Sequence, residues 1–299
     1  MIQVKNVVKS FDGKQILRGT SLHVKKGNIY GLVGPNGAGK TTIIRHITGI
    51  YKENAGEILI KGEPIWENVR MKQSIAYIPD DIFFFTGATL KEMRKFYKAL
   101  YPNFDDELFE KLEPFFPKVD KRRKIKTYSK GMQKQMAFWL SIACKPEILI
   151  LDEPVDGLDP VMRKQVWSIL MKEVADRQLT VLVSSHNLRE LEDVCDHVGI
   201  MSEGSVILER SLEELQENTL KIQMAFDGEE PDFADVQDVI HKSRSGRVLT
   251  LIVKGNAAQI TAQIEAKKPL FYDLLPLTLE EIFIYELGGK NYEVKDILL

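Results

Sequence analysis

Gly34-Pro35-Asn36-Gly37-Ala38-Gly39-Lys40-Thr41 is a glycine-rich turn ending in Lys-Thr, the pattern G-x-x-x-x-G-K-[ST]. Glycines let the backbone close around an anion, so that successive N–H groups point inward at phosphate oxygens. In this pattern the lysine reaches the β- and γ-phosphates of a nucleotide, and the threonine hydroxyl binds Mg²⁺. The flanks agree. Asn28-Ile29-Tyr30-Gly31-Leu32-Val33 reads as a short apolar strand entering the loop. Thr41-Thr42-Ile43-Ile44-Arg45-His46-Ile47 continues at helical spacing. A helix beginning at Lys40 adds the positive end of its dipole. Strand, loop and helix predict a nucleotide-phosphate site made of Gly34, Pro35, Asn36, Gly37, Ala38, Gly39, Lys40, Thr41 and Thr42.

A chain of 299 residues holds one large domain, or one domain and a small appendage. Its 44% hydrophobic and 28% charged residues are ordinary for a globular protein. A net charge of −2 gives no whole-chain attraction to nucleic acid, so no nucleic-acid partner is expected. No apolar run is long enough to span a bilayer, and Met1-Ile2-Gln3-Val4-Lys5 lacks the apolar core of a secretory signal. Cys144 and Cys195 lie in apolar segments and read as buried free thiols.

Up to about residue 80 the chain reads as β-rich, with alternation at Ile2–Val4 and Ser21–Val24, a turn at Phe11–Lys14, and strands at Gly56–Gly62 and Ser74–Pro79. From about 81 to 145 it reads as helical, with a capped start at Thr89-Leu90-Lys91-Glu92. Ile148-Leu149-Ile150-Leu151 is a continuous apolar run, as in a strand buried on both faces. A helix over about 160–176 leads to a second such strand, Thr180–Ser185, which implies a parallel crossover. A hairpin turns at Glu203-Gly204, and Ser211-Leu212-Glu213-Glu214 opens a helix as a capping box. Beyond about 220 the texture changes. An acidic loop at 227–232, a strand Val248–Val253 and helices near 256–267 and 278–287 suggest a small α/β appendage without a recognisable catalytic cluster.

Asp152 and Glu153 follow the first buried strand directly. Carboxylates at the tip of a parallel strand lie at the mouth of the sheet, beside the phosphate loop. Asp152 is placed to hold Mg²⁺, and Glu153 to polarise a water for in-line attack on a γ-phosphate. His186 ends the next buried strand on the same edge, where it can sense that phosphate or position the water.

With Thr127-Tyr128-Ser129-Lys130-Gly131-Met132-Gln133 in place between these elements, the chain resembles the ATP-binding subunit of an ABC transporter over about residues 1–215. That family carries Leu-Ser-Gly-Gly-Gln ahead of a helix, and here it stands as Tyr128-Ser129-Lys130-Gly131-Met132. The resemblance implies ATP and Mg²⁺ as cofactors. It implies that Phe11 stacks on adenine, that Asp80 takes the Gln-loop position as a metal contact beside Thr41 and Asp152, and that Lys40, Glu153 and His186 are catalytic. Ser129, Lys130, Gly131, Met132 and Asp159 are implied to contact the ATP of a second ABC ATPase subunit in a homo- or heterodimer. Separate transmembrane permease subunits, and a place on the cytoplasmic face of the membrane, follow from the same resemblance.

The expected fold is an α/β P-loop ABC-ATPase core over residues 1–220, with an antiparallel β subdomain and an inserted helical subdomain over about 81–145. A small C-terminal α/β domain, accessory or regulatory, follows over 221–299. Lys130 and Met132 depart from the family signature, but the phosphate-facing Ser129 and Gly131 remain. Asp80 is shorter than the family's glutamine and carries a charge. The basic run Lys118–Lys130 reads either as a solvated, mutually paired face opposite the acids of 105–113, or as a surface attracting the partner's ATP phosphates, anionic lipid or a membrane subunit. Phe83-Phe84-Phe85 cannot all face one core, which leaves docking to a membrane subunit beside core packing. Leu277–Phe283 resembles the tail of drug and antibiotic-peptide exporters and favours export. The alternatives are a soluble ABC-type ATPase or a nucleotide-gated regulator. A GTPase is disfavoured, because no Asn-Lys-x-Asp base-reading motif occurs.

Overall fold

A computed structural model describes residues 1–217, 219–227, 231–233, 236, 238–275, 277–279 and 281. The chain forms two compact units, one of Met1–Asn187 with Val194–Glu209, the other of Leu188–Asp193 with 210–299.

The first unit opens with a hairpin, β1 (Ile2–Phe11) and β2 (Lys14–Val24). Asp12 and Gly13 both take positive φ, which matches the turn to the strand twist. β3 (Ile29–Val33) enters the phosphate loop, and α1 (Lys40–Ile47) leaves it. β4 (Ala55–Ile60) and β5 (Glu63–Pro64) complete an antiparallel sheet of order β2-β1-β4-β5. After α2 (Val69–Gln73), β6 (Ile75–Ile78) joins the central sheet. The helical subdomain holds α3 (Leu90–Leu100), α4 (Asp106–Leu112) and α5 (Lys130–Ala143). β7 (Ile148–Asp152), α6 (Pro160–Arg177) and β8 (Thr180–Ser185) form the expected crossover, with β7 and β8 parallel neighbours. α7 (Arg189–Glu192) precedes β9 (His197–Ser202) and β10 (Ser205–Ser211). The central sheet has the order β10-β9-β3-β8-β7-β6.

This register positions the site. Leu32 lies opposite Ser184, Ser184 opposite Asp152, and Val33 opposite Ser185. The C-terminal ends of β3, β8 and β7 therefore finish at one level, the edge where open parallel sheets bind ligands. Every residue of the three strands is buried, as their unbroken apolar character requires. Leu32, Ile43, Ile44, Ile47, Ile150 and Leu182 belong to the core joining this sheet to α1 and the antiparallel layer. Each such side chain contributes about 1.5–3 kcal/mol by leaving water.

Helix does not start at 81. Residues 79–89 run without helix, and α3 begins only at Leu90. Thr89 accepts from the Glu92 N–H, and the Glu92 carboxylate accepts from the Thr89 N–H, so the capping box sets the start. Of the three adjacent phenylalanines, Phe84 is buried, whereas Phe83 and Phe85 are 73% and 46% exposed. In the basic run, Lys121 pairs with Glu110 and Glu113, and the Arg123 guanidinium lies 4.6 Å from the Tyr128 ring centre. Cys144 and Cys195 are free and buried, and burial pushes both thiols well above their ordinary pKa.

The second unit carries α8 (Leu212–Glu217), β11 (Thr219–Ala225), β12 (Val239–Ser245), β13 (Val248–Lys254), α9 (Ala257–Ala266) and β14 (Phe271–Leu275). Its strands pair antiparallel in the order β12-β13-β11-β14. Ile222, Met224, Leu249, Leu251, Val253, Ile260 and Ile264 fill its core. α7 belongs to this unit, where the Leu279 N–H donates to Glu192 at 3.0 Å. Of the helix expected over 278–287, only Thr278, Leu279 and Glu281 fall among the described residues, and Glu281 ion-pairs with Lys221 at 2.6 Å. Ile282 and Phe283 of the tail motif lie outside them.

Candidate functional site

The phosphate loop curls back on its own lysine. Lys40 Nζ donates to the Gly34 carbonyl at 2.7 Å and the Pro35 carbonyl at 3.3 Å, and lies 3.5 Å from Glu153 Oε1. At 6% exposure this ammonium is held at the base of the loop rather than in solvent. Gly34 is required by close approach, since a Cβ there would stand 2.1 Å from the Met201 carbonyl oxygen of β9. Asn36, Gly37, Gly39, Lys40, Thr41 and Thr42 line a cavity of about 560 Å³, shared with Phe11, Tyr51, Arg45, Asp80 and Glu153. Gly34, Pro35 and Ala38 form the loop behind that lining.

Phe11 stands at the end of β1 with its ring 37% exposed, edge-on to Tyr51 at 5.3 Å between centroids. Arg45 donates to the Tyr51 hydroxyl at 3.2 Å. This aromatic corner is an apolar wall of the kind a purine base stacks on. Phe11 was expected here from the family resemblance. Tyr51 and Arg45 were not, because α1 and the segment after it reach the cavity only through the fold.

Asp152 is 1% exposed at the tip of β7. Its Oδ1 accepts from Ser184 Oγ at 2.5 Å, while its Oδ2 is buried without a protein partner. A buried carboxylate oxygen left unmatched costs free energy unless something binds it. A hard oxygen donor beside the Thr41 hydroxyl's loop is the chemistry Mg²⁺ takes. Burial first, then the charge of Asp152, pushes the Tyr77 hydroxyl up to about 12, so it stays neutral in this setting.

Glu153 takes φ 48°, a left-handed conformation uncommon for a residue with a Cβ. Its N–H donates to the Ser184 carbonyl at 3.2 Å, and its Oε2 accepts from the His186 N–H at 3.3 Å. His186 Nδ1 lies 3.0 Å from the same oxygen, within hydrogen-bond reach. Acid and imidazole are thus brought together. Asp156 joins them, its ligand atom lying within 4.8 Å of those of Glu153 and His186.

Asp80 lines the cavity from the loop after β6, with its side chain 60% exposed. Its Oδ1 lies 3.1 Å from the Nζ of Lys134, a lysine of α5 that sequence patterns had not singled out. The same Nζ donates to the Glu153 carbonyl at 2.7 Å.

The remaining predicted residues gather elsewhere in the first unit. Ser129 caps α5, accepting from the Met132 N–H at 3.3 Å, and Asp159 caps α6, accepting from Val161 and Met162. Ser129, Gly131, Met132 and Asp159 line a second cavity of about 690 Å³ with Phe115, Gly157 and Leu158. Gly131 is needed there, because a Cβ would come within 2.7 Å of the Gly157 carbonyl oxygen. Lys130 is exposed and is not among the residues lining this cavity.

Residues 17–156 match the protein family described as ABC transporter. Over 295 residues the chain is 35% identical to the ABC transporter ATP-binding protein YtrB of Bacillus subtilis (strain 168), covering 97% of this chain and 99% of that one. It is 29% identical over 302 residues to the Nod factor export ATP-binding protein I of Burkholderia orbicola (strain AU 1054), covering 98% of each. A solved structure described as the ATP binding subunit of an ABC transporter superposes with a TM-score of 0.66 at 25% identity, covering 72% of this chain and 91% of that one.

Proposed function

Because this chain belongs to the ABC transporter family as an ATP-binding ATPase subunit, we propose that it hydrolyses Mg-ATP in a sandwich of two cassettes and so drives export through a separate permease. The observation that carries this reading is the register of β3, β8 and β7, which gathers Lys40, Asp152, Glu153 and His186 on one sheet edge.

Lys40 and the loop amides hold the phosphates, and Phe11 stacks on the adenine. Thr41 and Asp152 would hold Mg²⁺, which when bound neutralises charge on the β- and γ-phosphates. Glu153 accepts a proton from the attacking water, and His186 orients Glu153 and contacts the γ-phosphate. Most of the rate comes from positioning and charge stabilisation, because the phosphoryl transition state needs little covalent help. Ser129, Gly131 and Asp159 of one chain complete the site of the other, with the N-terminus of α5 facing the phosphate. ATP binding closes the pair, and loss of phosphate reopens it.

Permease docking is supported by an exposed aromatic patch on the segment after Asp80 and on α3. Phe83, Phe85 and Phe96 are all exposed, with ring centroids 6.3 Å and 4.9 Å apart along the series. Such a patch is a place where a partner binds. A full-length relative named for Nod factor export supports the direction of transport. Among the described residues no helix is long and apolar enough to cross a membrane. In this reading the permease is a separate chain, and this one sits on its cytoplasmic face.

Glu153→Gln tests the assignment. ATP affinity should persist and kcat fall by about a hundredfold or more, the usual contribution of a general base. The variant should also accumulate as a dimer in Mg-ATP on gel filtration. Lys40→Ala should lose ATP binding. Undiminished turnover in Glu153→Gln overturns the mechanism.

A further inference from the structure

We propose that Lys134 is a positioning residue for hydrolysis, held by Asp80, and that Asp80 acts through this lysine rather than as a metal ligand. This rests on Glu153 being the base, as proposed above.

Lys134 projects from α5, yet its side chain is only 8% exposed. A buried ammonium persists where its partners replace water. Here it has two, Asp80 Oδ1 at 3.1 Å and the Glu153 carbonyl at 2.7 Å. One cation thus ties together the loop after β6, the helix that opens at Ser129, and the backbone of the base.

Glu153 needs that tie. Its φ of 48° is a sparsely populated conformation, held only where the surroundings over-determine it. Ser184 fixes its N–H, and Lys40 and His186 fix its carboxylate. Lys134 fixes the carbonyl, the remaining polar group of the residue. With the carbonyl released, the peptide after Glu153 can rotate and carry the carboxylate off line. Asp80 supplies the counter-charge that keeps Lys134 in place. Because Asp80 begins the segment that carries Phe83 and Phe85, a shift of that segment would reach the base through this single ion pair. The charge at position 80, which departs from the glutamine of the family, is matched by a charge at position 134.

Steady-state ATPase assays on the full chain test this. Lys134→Met should lower kcat by about ten- to a hundredfold, the usual cost of a small misplacement of a catalytic group, with KM for ATP within about twofold of wild type. Asp80→Asn should lower kcat in the same way but less. The double variant should be no worse than Lys134→Met alone, because both act through one contact. Wild-type kcat in Lys134→Met, a loss confined to KM, or additive losses would each overturn the proposal. If Lys134→Met does not fold, the exposed Asp80 carries the test. A lowered kcat at unchanged KM in Asp80→Asn supports the proposal, and wild-type kcat overturns it. Glu153→Gln run alongside separates the two levels. Full activity there removes the underlying mechanism, whereas inactive Glu153→Gln beside fully active Lys134 and Asp80 variants removes only the positioning role.

Discussion

At position 46, on α1, an imidazole is buried with its Nδ1 2.7 Å from the Thr42 carbonyl and its Nε2 without a hydrogen-bond partner. Burial lowers its pKa below the ordinary value of 6.5, outweighing the Thr42 carbonyl, which favours the proton. The sign follows directly. Below the ordinary value the unfolded chain takes up a proton that the folded chain refuses. Stability is therefore complete above about pH 6.5 and falls as pH drops toward the folded pKa. The thermal midpoint should fall between about pH 7.5 and 5.5 more steeply in wild type than in His46→Asn, as differential scanning fluorimetry would show. Equal slopes would assign the acid sensitivity to other groups. Residues at the ends of apolar runs were readable before any fold was known. Asp152, Glu153 and His186 terminate strands, so their chemistry follows from their neighbours in sequence. Lys134 was not readable, because its partner Asp80 is 54 residues away and its contact at Glu153 is 19 away. On a helix written Lys-Gly-Met-Gln-Lys-Gln, nothing local marks one lysine as buried.

Among the elements, α5 lines the second cavity at its N-terminus, where Ser129 caps it, and reaches Asp80 and Glu153 of the first through Lys134 one turn further on. Nine of its fourteen residues are buried, so its direction is fixed by packing, with Trp139 stacked on Phe109 and Phe116. Ser129→Ala removes a cap worth about 1 kcal/mol. Gly131→Ala forces the helix start away from the Gly157 carbonyl. If the N-terminus of α5 faces the partner's phosphate, both should lower ATPase activity while leaving ATP binding to the isolated chain intact, by fluorescence titration with a labelled nucleotide. Weakened binding in the monomer would place the defect in the chain's own loop instead. Element legibility tracks burial. β7 and β8 are buried along their whole length and read as unbroken apolar runs. β13 is central in the second sheet and was readable. β12 and β14 lie at its edges with most residues exposed, and β12, Val-Ile-His-Lys-Ser-Arg-Ser, is mostly polar, so no apolar alternation marks it.

For the whole molecule, two compact units with separate cores predict two unfolding transitions. With Mg-ATP bound at the folded first unit, as proposed, mass action should raise one midpoint and leave the other where it is. Calorimetry with and without nucleotide would show this, and a single transition moving as one would refute independent units. The division also cuts across chain order. Leu188–Asp193 lies between β8 and β9 in sequence, directly after the His186 loop, yet groups with the C-terminal unit. No composition shift marks that six-residue excursion, so sequence reading drew one boundary near 220 where the structure draws three.

Sequence by itself determined the nucleotide chemistry of this protein, because a phosphate loop, paired carboxylates after an apolar strand and a capped signature helix are local patterns whose physics is written in adjacent residues. Tertiary structure alone decided the strand register that levels Asp152 with Ser184, the burial of Lys134 between Asp80 and Glu153, and the transfer of α7 to the second unit. Those are contacts between residues far apart in the chain. Their energies depend on which groups lose water together, and that is settled only when the whole sheet and its helices pack.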